Sequence, residues 1–400
     1  MVTTTSPSND PRYRTNAGEG YDGVVRVSYG GYYGTGAVLF DGRAILTSAH
    51  LFDGRSGTAS VTFETRAGTQ TVTARKHLIH PGYDEEGNND VAIVWLAAAA
   101  PIGADRYGLY RDSDEVGKAF TLAGYGRSGT GDTGATSSES ATPARLKAAN
   151  RFDAEVSELE AQMGGFIDWK PLAGTQLLAD FDNGLSASDA LGQLLGRTHL
   201  GYGADEGLIA SGDSGGPAFI DGLLAGVATY TASLSRGSTA PDIDSLNNSS
   251  FGEIGAWQRV STYQQWIDQS LRAEYTDAPT RPQDVIKKVA EGDAGTRLAY
   301  FLLQFTGVRK SPDEILGVDY ATRDGSALAG SDYIAAQGTL HLYPGEDQAV
   351  IAVEILSDMT PEPDESIYLD VFNPVGGSFG AGVVKLTAVR TILDDDGWLG

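Results

Sequence analysis

The sequence predicts a mainly β protein of more than one domain, and three observations carry that prediction. Apolar residues come in short runs separated by Gly, Asp and Ser, with 52 glycines in 400 residues. Such punctuation favours strands and turns over long helices. The stretch Ala273 to Asp284, with Pro279 and Pro282 among charged and small residues, reads as a linker. Beyond it, short strand patterns recur at regular spacing, which argues a β-sandwich.

Taken in order, Val24 to Val27, Gly36 to Phe40 and Ala44 to Thr47 read as successive strands. Alternating segments follow around Ser60 to Phe63 and Gln70 to Ala74, then apolar runs at Phe120 to Gly126 and Leu223 to Tyr230. Between Gly126 and Gly212 the chain is long and polar. Its first part, Arg127 to Thr142, is rich in Gly, Ser and Thr and is expected as a surface loop, with strand and helix pieces near Gln176 to Phe181 and Ala187 to Leu195. Asp180 and Asp182 flank Phe181, but the spacing and closing Glu of an EF-hand are missing, so a turn is expected there. Val260, Tyr263, Trp266 and Ile267 fall near one face of a helix. After the linker, strands are expected at Leu298 to Phe305, Gly317 to Thr322, Gly338 to Leu342, Ala349 to Leu356, Ser366 to Phe372 and Val383 to Ile392.

The chemistry concentrates in Gly212-Asp213-Ser214-Gly215-Gly216-Pro217. Glycine permits close approach of the main chain and backbone angles that other residues resist. A carbonyl held against Ser214 could then receive the amides of Gly212 and Ser214, the arrangement of an oxyanion hole. Serine alone is a poor nucleophile and needs a base and a group to orient that base. His50 ends the apolar run Ala44 to Ala49, and Asp90 stands at the mouth of the apolar run Val91 to Leu96. His77 and His80 lie close together without further ligands to complete a metal site, and His199 and His341 stand alone; packing or surface roles are expected for all four.

The order His50, Asp90, Ser214, with TSAH, NNDVAIVWL and GDSGGP around them and His80-Pro81-Gly82-Tyr83 between, resembles the trypsin/chymotrypsin-like serine proteases. The resemblance implies two packed β-barrels, the second opening at Phe120, and a serine endopeptidase acting on protein or peptide substrates. In that mechanism His50 is general base and then acid, Asp90 holds its tautomer, and Ser214 attacks the carbonyl. It also puts Leu208 at the base of the primary pocket and Thr229, Tyr230 and Thr231 at its edge. With no carboxylate at 208, preference for Lys or Arg is disfavoured and small or medium apolar side chains are expected. The family commonly pairs a liberated amino terminus with the aspartate beside the serine, here Asp213, yet nothing before Val24 has the usual Ile-Val-Gly-Gly form.

Val318 to Ala327, Ala329 to Tyr333, Tyr343 to Glu346 and Ile392 to Gly397 resemble the Calx-beta domain. That resemblance implies calcium held by clustered carboxylates at one end of the sandwich, at Glu291, Asp332, Asp358, Glu362, Glu365, Asp394, Asp395 and Asp396; Ser357 stands where a further aspartate is common. The expected organisation is a trypsin-like domain over 1–272 with an insertion at about 127–207, a linker over 273–284, and a Calx-beta-like β-sandwich over 285–400.

Composition fits that reading. A formal net charge of −24 lacks the basic stripe that nucleic-acid binding needs and suits solubility, salty surroundings or cation binding instead. No apolar run approaches the roughly 18 residues of a membrane helix. With no cysteine, stability must come from the core or from bound ions, a bacterial style. A secreted or surface location is expected; the first residues carry no export signal, so a signal has been removed or another route is used. No cofactor is expected for catalysis, and further domains could follow Gly400. The rival reading is a spent protease fold serving as a calcium-dependent adhesion or scaffolding protein, and a third is an esterase on the same fold.

Overall fold

A computed structural model describes residues 2–136, 144–167 and 169–396. Contacts divide the chain into two compact units, Met1–Leu39 with Arg43–Gln264, and Phe40–Gly42 with Gln265–Gly400.

In the first unit, strands Val24–Tyr29, Tyr32–Val38, Ala44–Thr47, Ala92–Leu96, Gly68–Ile79 and Ser60–Thr65 pair in that order, and the last returns to the first to close a barrel. Val25, Val27, Val38, Ile45, Val61, Phe63 and Val94 fill its interior. The strand Ala92–Leu96 is buried at every position, which is why its sequence is continuously apolar rather than alternating.

The second sheet orders its strands Leu146–Arg151, Ala119–Gly124, Pro217–Ile220, Leu223–Ala232, Ile254–Arg259, Gln176–Asp180 and Ala154–Glu155. Phe120, Phe152 and Trp257 pack as a ring cluster within its core, the two phenylalanines stacked at 4.0 Å. Among the described residues its hydrogen-bond ladder, unlike that of the first barrel, does not close. The Asn150 side chain bridges the gap instead, donating to the carbonyls of Asp180 (2.8 Å) and Gly207 (3.0 Å). A four-stranded sheet of two-residue strands lies in the same unit, ordered Gly134–Ala135, Gly129–Thr130, Thr3–Thr4, Gly207–Leu208. The stretch expected as a surface loop after Gly126 therefore contributes two strands, and its residues 137–142 lie outside the described ones. The helix predicted near Arg259 is Val260–Arg272.

The second unit contains a five-stranded sheet, ordered Lys288–Ala290, Lys385–Leu393, Glu365–Val375, Leu316–Asp324 and Gln337–Leu342, and the pair Thr296–Gln304 with Gln348–Leu356. Phe301, Ile351, Val353 and Ile355 from the pair share one core with Val318, Leu340, Ile367 and Leu369 from the sheet. This is the sandwich the regular strand spacing predicted.

Candidate active site and acidic clusters

The buried strand Ala44–Thr47 runs into a 3-10 turn, Ala49–Leu51, which carries His50 at its centre. Its neighbour in the barrel, Ala92–Leu96, pairs Ala92 with Thr47, so the residues just before it lie beside that turn. Asp90, 1% exposed, accepts there from the backbone N–H of His50 (2.8 Å) and meets His50 Nδ1 at 2.7 Å. The Thr229 hydroxyl donates to the same carboxylate at 2.8 Å. Donors on both oxygens thus satisfy this buried carboxyl group. Because a carboxylate only accepts, this geometry puts the imidazole proton on Nδ1 and leaves Nε2 as an acceptor. Arg55 Nη1 donates to the carbonyl of His50 at 2.8 Å and fixes the turn from the other side.

Ser214 sits in a turn shaped by Gly212 (φ +95°) and Gly215 (φ +81°). The Ser214 carbonyl accepts from Thr35 N at 2.8 Å, and Gly215 N donates to Ala228 O at 2.8 Å. A Cβ at Gly215 would collide with the Thr47 hydroxyl and the Thr35 carbonyl, so glycine lets the turn lie directly against the strand that leads to His50. Asp213 is buried, and burial raises its pKa while the N–H groups of Gly126 (2.7 Å) and Ala210 (2.9 Å) donate to it. Asp213, Gly215 and Gly216 give their N–H groups to Ala210, Ala228 and Asp213. Among the described residues, no acceptor takes the N–H of Gly212 or Ser214, the two expected to line the oxyanion hole.

Ser214 borders a cavity of about 400 Å³ together with Arg127, Ile209, Ala210, Ser211 and Asn248. His50, Tyr83 and Asp90 border a second of about 410 Å³, and Thr229, Tyr230 and Thr231 line both. The structure thus joins His50 to Asp90 and sets Ser214 across the same three strand residues; among the described residues no hydrogen bond links imidazole to serine hydroxyl.

Leu208 is a correction. It is fully buried in the core of the second sheet and pairs with Thr3, so it does not form the base of the cavity; Ile209 and Ala210 supply that wall. Its backbone is held in a short strand that turns the side chain inward. Thr229 lines both cavities, and its link to Asp90 carries no sequence signal. His77, as expected, is a packing residue, stacked on Phe52 at 4.4 Å.

In the second unit, one carboxylate oxygen from each of Glu291, Asp394 and Asp396 lies within 4.8 Å of the others, and Asp332, Glu362 and Glu365 form a similar group. Burial, then the charges of Asp358, Asp394 and Asp396, push Glu291 up to about 7. Glu365 is likewise pushed up to about 7 by burial and by Asp332. Glu291 Oε1 and Asp396 Oδ2 are buried without a hydrogen-bond partner among the described residues. All-oxygen donor sets of this span fit a hard cation of calcium's size, whose oxygen ligands stand about 2.3–2.6 Å from the metal. Asp395 departs from the expected ligand set: it accepts from Gly292 N at 2.8 Å and belongs to neither group. Asp358 likewise joins neither, its Oδ1 accepting from Thr360 N at 2.6 Å while its charge acts on Glu291.

Comparison with known proteins agrees with both units. Residues 13–164 match the family model described as Trypsin, a span that includes His50 and Asp90 and ends before Ser214. Residues 304–396 match the Calx-beta domain. Sodium/calcium exchanger 2 of Rattus norvegicus is 42% identical over 92 residues, covering 20% of this chain and 10% of that protein. Sodium/calcium exchanger Calx of Drosophila melanogaster is 40% identical over 79 residues, covering 20% of this chain and 8% of the exchanger. The chain therefore spans about a tenth of the length of these relatives. Among solved structures, neuropsin, a serine protease expressed in the limbic system of mouse brain, aligns with a TM-score of 0.46 and 17% identity, over 65% of this chain and 98% of that one. The chain thus carries a Trypsin family match over 13–164 followed by a Calx-beta domain match over 304–396.

Proposed function

We propose that the protein is a secreted serine endopeptidase with a calcium-binding accessory domain. The observation that carries this reading is the buried Asp90 carboxylate fixed to His50 Nδ1 and Thr229, beside a glycine turn that presents Ser214. His50 Nε2 takes the proton as Ser214 Oγ forms a bond to the substrate's carbonyl carbon. The resulting oxyanion is received by the N–H groups of Gly212 and Ser214. The imidazolium then protonates the departing amine as the C–N bond breaks, and water repeats the sequence to release the acyl group from the serine. General acid–base assistance contributes roughly 10²–10⁴-fold, and one oxyanion donor about 10²–10³-fold.

Among the described residues, no carboxylate lines the cavity beside Ser214, whereas Arg127 does, which argues against Lys or Arg side chains there. Thr231 and Tyr230 narrow its edge, favouring small or medium side chains. Faster hydrolysis of Ala or Val peptide esters than of Arg esters is expected, and the reverse order would overturn this preference. Recovery of the native protein in the extracellular or surface fraction tests its location.

Fluorophosphonate labelling of the full chain tests the reaction class. The parent chain should label and Ser214→Ala should not; equal labelling of both, or none of a folded parent, would reject it. The accessory role predicts a higher melting temperature in millimolar calcium than in chelator, since an ion bound only by the folded state stabilises it.

A further inference from the structure

The trypsin-like unit contains a third acidic group, unrelated to the triad. Asp180 closes the strand Gln176–Asp180, and Asp182 follows two residues on. In extended chain, alternate side chains face the same way. Phe181 accordingly turns into the core against Phe251, and its two neighbours turn together toward Asp189, the residue before the helix Ala190–Leu195. One oxygen of each aspartate lies within 4.8 Å of the others, and all three residues are buried.

Hydrogen bonds account for only part of this group. Asp180 Oδ2 accepts from Leu191 N (2.6 Å) and Asp189 Oδ1 from Gly192 N (2.7 Å). Asp182 is 2% exposed, and both of its carboxylate oxygens lack a partner among the described residues. Its own N–H donates to Glu206 Oε1 at 2.8 Å, bringing a fourth carboxylate close. Asp153 brings a fifth, held by Arg151 Nε at 2.7 Å. His199 and Tyr202 flank the group. Burial, then Glu206, Asp189 and Asp153, push Asp182 up to about 9, and burial raises Asp180 as well. One guanidinium faces five buried carboxyl groups, so ionising them without further donors or counter-charge is costly.

We propose that Asp180, Asp182 and Asp189 bind a calcium ion inside the trypsin-like unit, with the free carboxylate of Asp182 as its central ligand. The donors are all oxygen, the set a hard cation takes, with neither imidazole nor thiolate among the three. Their mutual span is no greater than that of opposite oxygens around calcium, about 4.6–5.2 Å. The ion would tie the end of an edge-proximal strand to the helix that follows it. The turn expected at Asp180 to Gly184 is thus reassigned as a binding segment; it escapes an EF-hand pattern because Asp189 comes from beyond the intervening loop.

The test uses the full chain with the second-unit groups neutralised by Glu291→Gln, Asp332→Asn, Glu365→Gln, Asp394→Asn and Asp396→Asn. Equilibrium dialysis with radioactive calcium should find one ion per chain, and calcium should raise the Tm by several degrees over chelator. Adding Asp182→Asn and Asp189→Asn should abolish both effects, while its Tm in chelator stays equal to or above that of the starting variant because repulsion is relieved. Absence of bound calcium from the folded starting variant, or retention of the ion after the added substitutions, would overturn the proposal. A lower Tm in chelator after them would also overturn it, since the aspartates would then be acting as a hydrogen-bonded structural group. If the double substitution fails to fold, Asp182→Asn alone decides by the same two readouts. Fluorophosphonate labelling is independent of these outcomes, so failure here is distinguishable from failure of the protease reading.

Discussion

Asp90 receives three donors in the structure, two from His50 and one from Thr229, and each does a different job. The backbone N–H places the carboxylate under the turn, the imidazole contact sets the tautomer, and the threonine hydroxyl keeps one oxygen oriented. Asp90→Asn should put an amide where an acceptor is needed, favour the wrong tautomer, and lower kcat about 10⁴-fold. Thr229→Val keeps the shape and removes one donor to a charged group, worth roughly 1.5–3 kcal/mol, so kcat should fall about 10–100-fold. In Asp90→Asn KM should move little, because substrate does not touch the carboxylate; steady-state kinetics on one peptide substrate, showing the loss in KM instead, would refute the orienting role. At this scale the sequence was readable where chemistry demands a residue type in a motif. His50, Asp90 and Ser214 were each marked by their neighbours. Thr229 was not, because its partner lies 139 residues away. Leu208 was misread for a related reason: counting back from Ser214 locates a position along the chain but not the direction its side chain takes.

Regular elements were legible wherever a strand was long enough to show a burial pattern, and illegible where it was not. Ala92–Leu96 and Gln348–Leu356 declare themselves by apolar content, whereas Thr3–Thr4 and Gly207–Leu208 are two residues long and carry no period. What holds such irregular segments is polar. Arg145 and Asp22 form an ion pair at 2.8 Å with each side chain 2% exposed, and Arg145 also reaches the Thr15 hydroxyl and the carbonyls of Val24 and Glu64. Removing one partner leaves a buried charge uncompensated, so Arg145→Met should cost about 3–5 kcal/mol by chemical denaturation of the full chain. A loss under about 1 kcal/mol would mean that water reaches Asp22. In the second unit, burial would raise Asp370, but the Thr387 hydroxyl, Arg323 and Lys385 outweigh it and hold its carboxyl down to about 2. Its charged form is favoured by folding, so its contribution is complete above the ordinary pKa of about 3.9 and is lost as pH falls through about 2. Arg323 and Lys385 are half-exposed and screened, which limits the effect to about 1 kcal/mol. Asp370→Asn should therefore narrow the stability difference between pH 5 and pH 2; an unchanged difference in acid unfolding would rule this out.

Over the whole chain, 53 carboxylates face 29 Lys and Arg, and compaction brings like charges together. Two remedies act differently. Monovalent salt screens exposed charges over a Debye length of about 10 Å at 0.1 M, whereas a bound divalent ion neutralises carboxylates that are partly buried and little screened. Glu291 and Asp182 are of the second kind, each with a buried oxygen that lacks a hydrogen-bond partner among the described residues. Sodium chloride should then raise the Tm gradually, and calcium should raise it further at the same ionic strength, saturating with concentration as a binding isotherm does. Magnesium at equal ionic strength should do less, because it requires a tighter octahedral shell and gives up its water reluctantly. If calcium, magnesium and sodium act alike once ionic strength is matched, the acidic groups bind no ion, and the zero-cysteine chain draws its stability from its apolar cores and buried polar networks.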